Sequence, residues 1–166
     1  MNKFHKVSFE QFYKDFVDTF GDKENENFSI KDCYNLIQLP KRATKGSAGY
    51  DFYSPVSFCL KAGETIKIPT GIRVEMDSNI VGLMYPRSSM GLKGMYILNT
   101  VPVVDSDYFS SKNEGHIFVA IGNRGKDTIN IKAGDRFSQM ILTLFVVTDD
   151  DCINNIRNGG YGSTGN

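Results

Sequence analysis

The stretch Ile66-Lys67-Ile68-Pro69-Thr70-Gly71 joins a short apolar run to the turn residues that end it. The same arrangement recurs along the chain. Residues 80–86 end in a proline, residues 117–121 precede a GNRG sequence, and residues 140–147 precede three consecutive aspartates. Short apolar runs separated by turn residues are typical of antiparallel strands and leave little room for crossover helices. The sequence therefore predicts an all-β sandwich or barrel.

The start of the chain has a helical pattern instead. Ser8 and Gln11 form a capping-box pair, and apolar side chains then recur with the spacing of one helix face as far as Gly21. They are Phe9, Phe12, Tyr13, Phe16, Val17 and Phe20. This stripe could pack on its own core, on a neighbouring subunit or on another protein. Packing within the assembly is favoured, because exposed aromatic stripes promote association.

These patterns divide the chain into three parts. Residues 1–31 form an N-terminal helical extension whose charged stretch at 22–27 is expected to be a loop. Residues 32–156 form the β core, and residues 157–166 form a glycine-rich C-terminal segment that could order over a ligand as a lid.

Composition excludes several classes of function. The 166 residues carry 19 Lys+Arg against 19 Asp+Glu with no basic stripe, which argues against binding of duplex nucleic acid. The three cysteines and two histidines lack the spacing of a zinc site, and reduced thiols in a cytoplasmic protein are expected. No apolar run is long enough to span a membrane. An anionic ligand would therefore have to be small.

Three polar segments have the residue types of a phosphate site with a general base. Residues 86–91 (PRSSMG) offer a guanidinium fork and two hydroxyls that suit phosphate oxygens. Residues 105–108 (DSDY) place a carboxylate at the end of an apolar run, where it could activate water. Residues 157–165 (RNGGYGSTG) could bring backbone amides close to an anion. Taken singly, each also fits an ordinary turn, strand end or mobile tail.

With two further segments, these stretches resemble the motifs of the homotrimeric dUTPase family, over residues 36–166. The five matching segments are residues 46–52 (GSAGYDF), 86–91 (PRSSMG), 103–108 (VVDSDY), 134–141 (GDRFSQMI) and 157–165 (RNGGYGSTG). The resemblance implies a jelly-roll or β-clip subunit and a homotrimer with active sites shared between subunits. It also implies Mg²⁺-dependent hydrolysis of dUTP to dUMP and pyrophosphate, which keeps uracil out of DNA and supplies dUMP for dTTP synthesis.

The resemblance assigns a role to each motif residue. Asp105 would activate the water that attacks the α-phosphorus, Tyr108 would lie against the deoxyribose, and Asn99 would read the uracil edge. Asp51 would hold neighbouring groups in place. Mg²⁺ would be carried on the triphosphate, with no protein ligand assigned. The expected phosphate contacts are Arg87, Ser88, Ser89 and Gln139. The expected lid contacts are Arg157, Tyr161 stacked on uracil, Gly162, Ser163 and Thr164.

Two alternatives remain open. A dCTP deaminase of the related family would share the segment around Arg87, but it needs a glutamate in the strand position that Ala120 occupies, and this disfavours it. A nucleotide-responsive regulatory protein is the second alternative. It would bind a protein partner through the N-terminal helix or the 109–115 loop, which is several residues longer than the usual family link. The hydrolase is favoured, because its motif residues are all present.

Overall fold

The computed structural model describes residues 1–25 and 28–153. Within these residues, three short helices and one 3₁₀ helix accompany twelve strands. The helices are α1 (Phe9–Phe20), α2 (Ile30–Asn35) and α3 (Ser88–Leu92), and the 3₁₀ helix is Ser106–Ser110. The strands are β1 (Lys3–Lys6), β2 (Lys41–Arg42), β3 (Tyr50–Tyr53), β4 (Phe58–Leu60), β5 (Thr65–Pro69), β6 (Ile72–Glu75), β7 (Ile80–Pro86), β8 (Met95–Ile97), β9 (Val103–Val104), β10 (Phe118–Asn123), β11 (Ile129–Ile131) and β12 (Arg136–Leu144).

The strands form four antiparallel sheets around one core. The largest has the order β2-β3-β12-β7-β9, and a second has the order β5-β10-β8. β1 pairs with β6, and β4 pairs with β11. The all-β prediction from the apolar runs is therefore confirmed. In the part of the chain that is described, no helix has the length and apolar character needed to cross a membrane.

Strand β12 is the centre of the large sheet. It pairs with β3 on one side and with β7 on the other. Phe137 and Met140 on β12 are fully buried and share the core with Phe52 of β3 and Met84 of β7. Because three adjacent strands contribute to one core, the loops at the ends of these strands are held in fixed positions relative to one another.

The predicted N-terminal helix is confirmed as α1. The Ser8 hydroxyl accepts a hydrogen bond from the Gln11 amide at its start, and Gly21 follows its last residue. Phe12 and Phe16 are buried in the core of the same chain, so the apolar stripe packs internally. The sequence did not indicate β1 or α2, since four or six residues are too few to show a clear period.

Candidate active site

Three of the five motif segments meet at one surface cavity of about 570 Å³. They meet because β3, β12 and β7 are neighbours: Gln139 of β12 lies opposite Asp51 of β3 on one side and Tyr85 of β7 on the other. The residues that line the cavity are Ala43, Ser47, Ala48, Gly49, Asp51, Arg87, Ser88, Ser89, Gln139 and Ile141. The sheet thus brings together side chains that are far apart in the sequence.

Asp51 organises the charged wall of this cavity. Its carboxylate is largely buried and accepts a 2.8 Å hydrogen bond from Arg87 Nε. It accepts a second bond of 3.2 Å from an Arg136 guanidinium nitrogen. With its ε nitrogen fixed in this way, Arg87 keeps its terminal nitrogens available at the cavity wall. Arg136 lies in the fourth motif, but no local sequence pattern pairs it with Asp51.

Gly49 makes space for the Gln139 side chain in the cavity. Gln139 Nε2 donates a 3.2 Å bond to the Pro86 carbonyl. A Cβ atom on residue 49 would lie 2.2 Å from Gln139 Oε1, so any larger residue there would displace the amide. Ser88 and Ser89 are exposed beside it. The cavity therefore presents guanidinium, hydroxyl and amide donors, which are the groups that bind phosphate oxygens.

The third motif segment, residues 103–108, lies away from this cavity. Val104 pairs with Gly82 near the start of β7, and Asp105 follows it in the direction of Val81. Arg87 comes after the opposite end of β7. At roughly 3.3 Å per residue, the two positions are about 20 Å apart along this strand. Asp105 and Arg87 of one chain are therefore not brought together.

Tyr108 lies in the 3₁₀ helix next to Asp105 and is largely buried. Its hydroxyl donates a 2.7 Å hydrogen bond to the His116 carbonyl and accepts a 2.8 Å bond from Asn113 Nδ2. Sequence reasoning missed Asn113 and His116, because both lie in or beside the 109–115 loop, for which the family motifs give no guidance.

Asn99 lies exposed in the turn that follows β8. The two strands on either side of it, β8 and β9, do not pair with each other. β8 pairs with β10, whereas β9 pairs with β7 in the large sheet. The segment from β8 to β9 therefore crosses between two sheets, because each strand has its hydrogen-bond partner in a different one.

The remaining predicted site residues, Arg157, Tyr161, Gly162, Ser163 and Thr164, lie outside the described residues. Among residues 1–25 and 28–153, no group of three or more His, Cys, Asp or Glu side chains is placed to hold a metal ion.

The fold and the cavity together define an antiparallel all-β protein with a surface cavity lined by guanidinium, hydroxyl and amide donors. Comparison with known proteins identifies the family within this class of protein. The family model for dUTPase matches residues 35–165. The deoxyuridine 5'-triphosphate nucleotidohydrolase of Lactococcus lactis is 39% identical over 133 residues, which cover 78% of this chain and 89% of that protein.

Solved structures agree with this comparison. The crystal structure of dUTPase from Streptococcus mutans superposes with a TM-score of 0.64 at 30% identity and covers 88% of this chain and 98% of the other. The structure of a mutant dUTPase from phage phi11 of S. aureus, which describes the coordination of a structural Mg(II) ion, shares the fold at 16% identity. Its TM-score is 0.64, and the match covers 93% of this chain and 97% of that one. The chain belongs to the dUTPase family.

Proposed function

We propose that this protein hydrolyses dUTP to dUMP and pyrophosphate in the cytoplasm. The observation that carries the proposal is the convergence of Asp51, Arg87, Ser88, Ser89 and Gln139 on one cavity, in a chain of the dUTPase family. The related L. lactis protein is a deoxyuridine 5'-triphosphate nucleotidohydrolase.

Asp105 is the proposed general base. It takes a proton from a water molecule while the water oxygen attacks the α-phosphorus of dUTP. The bond between the α-phosphorus and the bridging oxygen breaks, so pyrophosphate leaves and the α-phosphoryl group remains on the nucleoside as dUMP. Because water is the nucleophile, no covalent enzyme intermediate is needed. General-base catalysis of this kind contributes roughly 10²–10⁴-fold to the rate.

The cavity beside Asp51 is the proposed triphosphate site. Phosphoryl transfer depends mainly on positioning and on neutralising charge that develops on the phosphate oxygens. Arg87 supplies the charge and a fixed planar fork, while Ser88, Ser89 and Gln139 supply neutral donors around it. Asp51 does not touch the substrate in this proposal and instead holds Arg87 in place.

The separation of Asp105 from this cavity supports an active site built from more than one copy of the chain. Two groups about 20 Å apart cannot act on the same triphosphate. The chain also exposes an apolar run that begins at the last residue of β12, with Leu144 at 68%, Val146 at 94% and Val147 at 64% of full exposure. Exposed apolar runs of this kind mark association surfaces. We therefore propose a homotrimer in which one subunit supplies Asp105 and another supplies the cavity.

The donor set fits a magnesium ion that arrives on the triphosphate. Both oxygens of Asp51, the carboxylate in the cavity lining, are taken by Arg87 and Arg136. The other polar side chains of the lining suit phosphate oxygens better than a metal ion. When bound, Mg²⁺ would neutralise part of the phosphate charge, and Arg87, Ser88 and Ser89 would hold the oxygens left exposed.

Base and sugar selection are proposed to come from other segments. Tyr108 would close against C2′ of the deoxyribose, and Asn99 would bond to the uracil edge. A site that bonds to one base edge discriminates strongly, because the wrong base leaves buried groups unpaired. The C-terminal segment, with Arg157, Tyr161, Gly162, Ser163 and Thr164, would cover the bound nucleotide. Residue 120 is an alanine on β10, so the glutamate that a dCTP deaminase needs is missing there.

A nucleotide panel tests the proposal. Purified protein with Mg²⁺ is given dUTP, UTP, dTTP or dCTP, and pyrophosphate and ammonia are measured. We expect rapid pyrophosphate release from dUTP and much slower release from the other three. Ammonia release from dCTP would favour the deaminase, and no pyrophosphate from dUTP would favour the regulatory protein.

A further inference from the structure

The 109–115 loop is fastened to the N-terminal extension. The Ser8 amide and hydroxyl donate to the two Glu114 carboxylate oxygens at 2.8 and 2.6 Å. Phe109 lies under the Arg73 guanidinium at 3.6 Å and contacts the His5 ring. Burial acts to raise the pKa of Glu114, but the two bonds from Ser8 and the charge of Arg73 outweigh it, so this pKa is lowered. The carboxylate is therefore ionised at neutral pH and binds Ser8 in its charged form.

The end of the loop is fixed by the ring of His116, which is fully buried. The Gly71 amide donates to His116 Nε2 at 2.7 Å, so the proton of a neutral ring lies on Nδ1. Nδ1 donates to Asp15 of helix α1 at 2.5 Å. Gly71 has a φ of 73°, and a Cβ atom there would lie 2.2 Å from Ile37 Cδ1, so glycine is required for this approach. Both ring nitrogens thus have partners from different elements.

These anchored residues in turn hold Tyr108. The backbone carbonyl of His116 accepts a hydrogen bond from the Tyr108 hydroxyl, and Asn113 Nδ2 donates a hydrogen bond to the same hydroxyl oxygen. The Ser111 hydroxyl lies 2.7 Å from both Asn113 Oδ1 and the Tyr108 carbonyl, which orients the Asn113 amide. The hydroxyl of Tyr108 is therefore both donor and acceptor within a network that leads to the N-terminal extension.

We propose that Asn113 is a positioning residue for Tyr108, and that the 109–115 loop with the docked N-terminal extension sets how strictly the site rejects a ribose. This inference rests on the proposed function, in which the Tyr108 ring closes against C2′ of the sugar. A ring excludes a 2′-hydroxyl only while it keeps its position. Two hydrogen bonds at the far end of the ring fix that position more tightly than packing alone.

The test compares the ratio of kcat/KM for dUTP to kcat/KM for UTP among variants. Asn113→Ala removes the donor to the Tyr108 hydroxyl and should lower this ratio by roughly fivefold, the effect of one hydrogen bond. Asn113→Asp keeps the shape of the side chain without the donor, and it should lower the ratio in the same direction. Lys112→Ala, at the exposed neighbouring position, is the matched control and should leave the ratio unchanged.

A double-mutant cycle shows whether Asn113 acts through the hydroxyl. Tyr108→Phe removes the hydroxyl and keeps the ring, so adding Asn113→Ala to it should change the ratio by less than about twofold. If Asn113→Ala acts only through a general structural effect, it should lower the ratio equally in the unaltered protein and in Tyr108→Phe. That result would overturn the inference. An unchanged ratio in both Asn113 variants would also overturn it, while leaving dUTP hydrolysis established. Absence of pyrophosphate release from dUTP by the unaltered protein would overturn the proposed function and this inference with it.

Discussion

Two hydrogen-bonded carboxylate pairs, Asp51 with Arg87 and Asp15 with His116, lie in contrasting surroundings. Arg87 is 25% exposed at the wall of a cavity, and only its ε nitrogen is used by Asp51. His116 is fully buried between helix α1 and the core, and both of its ring nitrogens are used. Asp51 holds the Arg87 guanidinium in a position where it can bind a ligand. The hydrogen bond between Asp15 and His116 instead joins helix α1 to the core of the same chain. We therefore expect changes at the cavity to alter reaction with nucleotide, and changes at Asp15 to alter stability.

The largest effect should come from Asp105→Asn, on the active-site side of the comparison. The change removes the proposed base in a side chain of nearly equal shape, so kcat should fall by about 10³-fold while nucleotide affinity remains. Steady-state pyrophosphate release measures kcat, and calorimetry with a non-hydrolysable dUTP analogue measures affinity. Turnover within about tenfold of the unaltered protein would contradict the mechanism.

Removal of residues 158–166 should have the next largest effect. These residues are proposed to cover the phosphates and exclude water, so kcat/KM for dUTP should fall by roughly 10²-fold without the lid. The unfolding midpoint should change little, because the segment is proposed to act on nucleotide alone. Full activity of the shortened protein would refute the lid.

Arg87 and Arg136 offer a sharper comparison, since both donate to the same carboxylate. Arg87→Ala should raise KM for dUTP by roughly 30-fold, because Arg87 lines the cavity. Arg136→Ala should change KM by less than about threefold, because Arg136 lies outside the lining. Each loses a hydrogen bond to Asp51, so the free energy of unfolding should fall by about 1–2 kcal/mol in both. Equal effects on KM would show that Arg87 has no special role in binding.

Most of the residues that line the cavity could be predicted from the sequence, because they lie in three short motifs of consecutive residues. Ser88 and Ser89 follow Arg87 directly, and one strand end therefore places all three. The pairing of Arg136 with Asp51 could not be predicted, since it depends on the register of β12 against β3. The alternating pattern of a strand fixes which of its faces is buried, but it does not say which distant strand is its neighbour.

The contacts between the N-terminal extension and the rest of the chain could be predicted from local sequence patterns even less. The apolar period of α1 predicted a helix with one buried face. Nothing in that period indicated that Asp15, a charged residue on this helix, is buried against His116. An aspartate and a histidine 101 positions apart meet only through tertiary packing. The placement of the 109–115 loop beside Ser8 has the same origin, because its contacts are between residues distant in sequence.

The last expected change concerns stability and not reaction with nucleotide: it lies at Asp15 and depends on pH. Burial acts to raise the pKa of Asp15, but hydrogen bonds from His116 and Gln11 and the nearby charge of Lys14 outweigh it, so this pKa is lowered. A carboxylate with a lowered folded-state pKa stabilises the protein at and above its ordinary pKa of about 4, and the contribution is lost as the pH falls through the folded-state value. Asp15→Asn should therefore reduce the free energy of unfolding by about 2 kcal/mol at neutral pH.

Urea unfolding from about pH 7 to about pH 3 measures this contribution. The difference between the unaltered protein and Asp15→Asn should shrink toward the acid end, because Asp15 is then protonated in the unaltered protein as well. Asp18→Asn is the matched control, since Asp18 is an exposed carboxylate on the same helix. Its effect should stay within about 0.5 kcal/mol at every pH. A difference for Asp15→Asn that is independent of pH would mean that the shape of the side chain, and not its charge, holds the helix to His116.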